Sequence, residues 1–116
     1  MKKILLDTNA YAAFLSGDEE VLNALDEADT VYMSVIVLGE LYAGFRGGNR
    51  PRENKGLLAQ FLQKPTVHIL NATAETSDVF GHIKHTLIGA GTPIPINDVW
   101  IASQAMETGA VVVTYD

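Results

Sequence analysis

A chain of 116 residues with 47% hydrophobic and 19% charged residues has the composition of one globular domain and leaves no room for a second core. The formal net charge of −6 means the molecule as a whole repels nucleic acid, so any such contact needs a local basic patch or bound cations. The absence of cysteine excludes disulfides, thiolate-bound zinc and thiol catalysis.

At the N-terminus, Ile4-Leu5-Leu6 after Lys2-Lys3 is too short for a signal-peptide core or a membrane span, and the expectation is a soluble, cytoplasmic protein. These residues read instead as a short buried strand, ended by the turn- and cap-favouring Asp7-Thr8-Asn9. A short helix from about Asn9 to Leu15 follows. Ser16 and Glu19 have capping-box spacing for a second helix, with Val21, Leu22, Leu25 and Ala28 on one face.

Val31-Tyr32-Met33 is expected as the second strand. Ser34 would cap a helix to about Arg46, stopped by Gly47-Gly48. Pro51 suits the first position of the next helix, whose buried stripe is Leu57, Leu58, Phe61 and Leu62. Val67 to Leu70 is a third strand, and Thr73 opens a helix to about Ile88 closed by Gly89 and Gly91. After a loop holding Pro93 and Pro95, Asn97 would cap a last helix, in which Trp100 and Met106 read as core. Ala110 to Thr114 forms the fourth strand. Short, continuously apolar strands separated by helices imply a parallel sheet covered on both faces, an α/β/α three-layer sandwich with four to five strands.

In such a sheet ligands gather beyond the carboxyl ends of the strands. Asp7 follows the first strand, Asp116 the fourth, Asp98 opens a helix and Glu40 sits one and a half turns into another, so all four can reach one rim. Each has a plainer reading. Asp7 can be an N-cap, and Asp98 can simply complement the helix macrodipole. Glu40 has Ile36, Val37, Ala43 and Gly44 as its helical neighbours and no basic partner among them. An acid in so apolar a run tends towards burial, which is costly unless compensated, and a distant arginine could supply that compensation. Grouped carboxylates without a cationic side chain suit a divalent cation such as Mg2+ or Mn2+, and with it phosphodiester hydrolysis.

The segments Leu6-Asp7-Thr8-Asn9, Ser34 through Glu40-Leu41, Asn97 through Ala102 and Thr114-Tyr115-Asp116 together resemble the signature of the PIN-domain ribonucleases, and among them the VapC toxins of type II toxin–antitoxin pairs. That resemblance implies a parallel sheet with a central first strand and metal-dependent cleavage of RNA, with transfer or ribosomal RNA as common targets. It makes Asp7, Glu40, Asp98 and Asp116 the metal-binding catalytic acids, with Thr8, Asn9 and Thr114 supporting them. It also implies a homodimer silenced by a cognate antitoxin protein, with no membrane involvement. The family continues past its fourth acid into a turn and a last short strand. The single domain is therefore expected over 1–116 without that strand.

Four of the eight basic residues, Arg46, Arg50, Arg52 and Lys55, cluster around a glycine-rich helix connection, either as an RNA-contact patch or as a solvated turn. His68, His82 and His85 lack the spacing of a metal site and receive no role. Gly39 beside Glu40 suggests close approach of another backbone, such as a second copy of the chain. Two other functions compete with the toxin ribonuclease: a housekeeping or DNA-directed nuclease with the same pocket, and a catalytically weak nucleic-acid-binding module.

Overall fold

The computed structural model describes residues 2–115. Its elements run β1 (Lys3–Leu6), α1 (Thr8–Leu15), α2 (Glu19–Glu27), β2 (Thr30–Ser34), α3 (Val35–Arg46), α4 (Pro51–Leu62), β3 (Val67–Leu70), α5 (Ala74–Ala90), α6 (Ile96–Thr108) and β4 (Val111–Val113). The four strands form one parallel sheet in the order β3-β2-β1-β4, so the expected α/β sandwich with a central first strand is what the chain adopts.

Connection handedness builds the layers. Two steps from β1 to β2 to β3 move one way, and the third returns across the sheet to the far side of β1. Right-handed crossovers then put α1 to α4 on one face and α5 and α6 on the other. The packing agrees: α1 meets α2 and α3, α3 meets α4, and α5 lies along α6. Ile4, Leu5 and Leu6 are at most 1% exposed, because β1 is covered on both faces and paired on both edges. Val31, Met33, Val37, Leu41, Leu58 and Phe61 complete the larger half of the core. No helix among the described residues is long and apolar enough to cross a membrane.

Several local expectations are corrected. Asp18, not Ser16, caps α2, its side chain accepting from the Val21 amide at 3.0 Å. Ser16 closes α1 instead, and Gly17 turns the chain at φ +83° between the two helices. Asn97 lies inside α6 rather than capping it. The Pro95 carbonyl accepts from the amides of Asp98 and Val99 and starts the helix earlier. Gly89 is within α5, which ends at Gly91 in the left-handed conformation (φ 68°). Leu57 and Met106 face solvent rather than the core, and Leu22 is also exposed, while Trp100 is half-buried against Phe80.

The other caps follow expectation. Ser34 Oγ accepts from the Ile36 amide at 3.0 Å, and Thr73 with Thr76 makes a reciprocal capping box.

Candidate active site

Strand order reverses beside β1, and the cleft beyond β1 and β4 is where an open parallel sheet offers a ligand site. Asp7 stands there. Its amide donates to the Val113 carbonyl at 3.1 Å, tying it to the end of β4. Its side chain caps α1, Oδ1 accepting from the Ala10 amide at 2.8 Å. The plainer reading of Asp7 as a helix cap is thus correct, and it holds the carboxylate in a fixed position at the rim.

Glu40 and Asp98 reach the same rim from α3 and α6. Glu40 is exposed, which corrects the expectation of burial. The helical period turns Val37, Leu38 and Leu41 inward and leaves Glu40 on the flank of α3. Thr8 Oγ1 donates to Glu40 Oε1 at 2.7 Å, joining the first turn of α1 to α3. Asp98 lies exposed in the first turn of α6.

Glu40 and Asp98 both act on Asp7 electrostatically. The Asp7 carboxyl is pushed above its ordinary value, first by burial and then by the negative charges of Asp98 and Glu40, while the hydrogen bond from Ala10 pulls the other way. The two ion pairs among the described residues, Lys2–Glu27 and Arg50–Glu53, neutralise none of the three.

An all-oxygen, all-anionic donor set fits a hard divalent cation. The carboxylates are not drawn into a ligand cage: among the described residues no three His, Asp or Glu side chains are grouped tightly enough to hold a metal ion. Glu40 is instead turned towards Thr8. Asp116, the expected fourth acid, lies outside the described residues. Thr114 follows β4 and Asn9 sits on α1, both exposed, and Asn9 lines a groove of about 550 Å³ with Tyr115.

A buried polar link that sequence reasoning missed holds α6 to the sheet. Ser34 at the end of β2 donates to Gln104 Oε1, and Gln104 Nε2 donates to the Leu70 carbonyl at the end of β3 at 3.4 Å. Both side chains are fully buried, so the helix that carries Asp98 is fixed across two strand ends. The available sequence signal was a glutamine in the run Ile101-Ala102-Ser103-Gln104-Ala105, a polar residue at a core-facing helical position.

The basic cluster divides. Arg46, Arg52 and Lys55 line a groove of about 620 Å³ between α3 and α4 together with Tyr42, Phe45 and Pro51. Arg50 is exposed and pairs with Glu53 at 3.7 Å.

Residues 4–116 match the PIN domain family model, nearly the whole chain. The chain belongs to the PIN-domain family. Among curated PIN relatives, "Ribonuclease VapC2" of Haemophilus influenzae is 31% identical over 98% of this chain and 86% of its own length. "Ribonuclease VapC2" of Rickettsia felis is 32% identical over 95% of this chain and 84% of its own. In solved structures, the PIN fold seen here matches a chain of VapBC2 from Rickettsia felis, crystallised on a DNA fragment from its promoter. That match has a TM-score of 0.86 and 28% identity, covering 98% of this chain and 88% of that one.

Proposed function

We propose that this PIN domain is a metal-dependent endoribonuclease, the toxin of a toxin–antitoxin pair. The observation that carries the reading is the convergence of Asp7, Glu40 and Asp98, from three separate elements, on the rim beside β1, where no ion pair among the described residues neutralises them. The "Ribonuclease VapC" names of relatives spanning nearly the whole chain support RNA as substrate. The VapBC complex among its structural neighbours supports an antitoxin protein as partner. A homodimer belongs to the same reading.

Asp7, Glu40 and Asp98 would hold Mg2+ or Mn2+, with Asp116 as a fourth acid. Bound there, the ion supplies water activation and neutralises charge developing on the phosphate. The chain's own part is orientation: the Ala10 amide fixes Asp7, and Thr8 holds one oxygen of Glu40. For that oxygen to serve as a ligand, Glu40 would give up its hydrogen bond from Thr8.

Cleavage of structured RNAs by the purified chain tests this, with Mg2+ or Mn2+, with chelator, and with Asp7→Asn and Glu40→Gln. We expect cutting that needs metal and falls at least about a hundredfold in either variant, the loss that several kcal/mol of transition-state stabilisation implies, with unchanged circular dichroism. Wild-type rates in those variants would refute the site. Metal binding without any cutting would favour the nucleic-acid-binding module.

A further inference from the structure

The proposed nuclease reading leaves unexplained how an acidic molecule grips an RNA strand. We infer that the groove between α3 and α4 is a substrate subsite for unpaired nucleotides. In it Tyr42 and Phe45 offer stacking surfaces, and Arg46, Arg52 and Lys55 hold phosphates. This inference rests on the nuclease reading and adds a second place of contact to it.

Charge comes first. The chain carries −6 overall with eight basic residues, yet three of them converge on this one groove. Among the described residues none of the three makes an ion pair, whereas Arg50, just outside, is paired with Glu53. Unpaired cations gathered in one concavity are arranged for an anion.

Aromatic geometry comes second. Tyr42 and Phe45 meet edge to face, their ring centroids 6.2 Å apart at 81°, and Lys55 Nζ stands 5.9 Å from the centre of the Tyr42 ring. Tyr42 is 36% exposed. An exposed ring flanked by cations suits a base attached to a phosphate. An acidic peptide would use the cations and leave the ring without a partner. The groove volume of about 620 Å³ suits one or two nucleotides rather than a duplex.

A path joins groove and acids. Gly39, Glu40, Tyr42, Ala43 and Arg46 are all exposed along α3. At about 100° per residue, Gly39 and Ala43 fall between Glu40 and the Tyr42–Arg46 edge. A side chain added at Gly39 would meet nothing within 4 Å, so this ridge is low and open. A strand cut at the acids can cross it into the groove.

The test measures binding of an unstructured RNA decamer and of an RNA duplex, with chelator present, to the parent, Tyr42→Leu and the pair Arg52→Gln with Lys55→Gln. Phe45 is left intact because it packs on the core. Tyr42→Leu should weaken decamer binding about thirtyfold, the middle of the range for losing one stacked base. The paired variant should lower the slope of log affinity against log salt by about 1.4, for two phosphate contacts on a single strand. In cleavage both should raise KM and leave kcat and the metal requirement unchanged. Parental affinity in both, while the parent still cuts RNA, overturns the subsite and leaves the nuclease standing. A parent that cuts no RNA overturns the nuclease reading itself. Two further results would overturn the subsite: loss of a glutamate-rich peptide with RNA binding intact, or a dimer falling to monomer in Tyr42→Leu with RNA binding intact.

Discussion

Asp7 combines two roles that pull in opposite directions. As an N-cap it stabilises α1, a contribution of about 1 kcal/mol. As a half-buried carboxylate near two others it opposes folding when ionised. The sign follows from the raised folded-state value. The favourable contribution is complete below the ordinary value of 3.8 and is lost as pH rises through the folded value. Asparagine keeps the cap and cannot ionise. Metal-free Asp7→Asn should therefore melt above the parent at pH 7, and the gap should close as pH falls below 4. Excess Mg2+ should raise the parent's melting temperature and leave the variant's unchanged, which differential scanning fluorimetry can follow. A variant less stable than the metal-free parent at pH 7 would mean the carboxylate is not under strain.

At the scale of elements, one buried side chain ties α6 to the ends of two strands. Gln104 accepts from Ser34 and donates to the Leu70 carbonyl, inside a helix otherwise fixed by apolar packing of Val99, Ile101 and Ala105. Gln104→Leu leaves Ser34 without its buried acceptor and should cost about 1–3 kcal/mol, read as a lower urea midpoint at unchanged slope. Such a contact spans residues far apart in the chain, and nothing local to Ser103-Gln104-Ala105 announces its partner. By contrast the strands were legible, because Ile4-Leu5-Leu6 and Val111-Val112-Val113 are apolar runs too short for helices. Helix starts were less so. Ser16 and Asp18 are equivalent caps by composition, and the choice is made by the positive φ of Gly17. Asn97 is a good cap that the Pro95 carbonyl pre-empts. For Glu40 the apolar run suggested burial, whereas the angular position among Val37, Leu38 and Leu41 decides its exposure. Glu40 itself stood out because no basic residue lies three or four positions from it.

For the molecule as a whole, stability is distributed from the centre of the sheet outward. β1 has neighbours on both sides, while β3 and β4 each have one, and Ile69 on β3 and Val111 on β4 are 51% and 63% exposed. In native-state hydrogen exchange the amides of Leu5 and Leu6 should open only with global unfolding, and those of β3 should exchange through smaller openings. Equal protection of β1 and β3 would contradict this gradient.

The central strand is also the first made. Asp7 leaves the ribosome early, but its amide waits for the Val113 carbonyl, and Asp98 arrives only with α6. A growing chain that has completed β1, β2 and β3 holds two of the three rim acids and lacks the strand that lines the other side of the cleft. For a protein that cuts RNA, this order of synthesis leaves the cleft incomplete until α6 and β4 have been made.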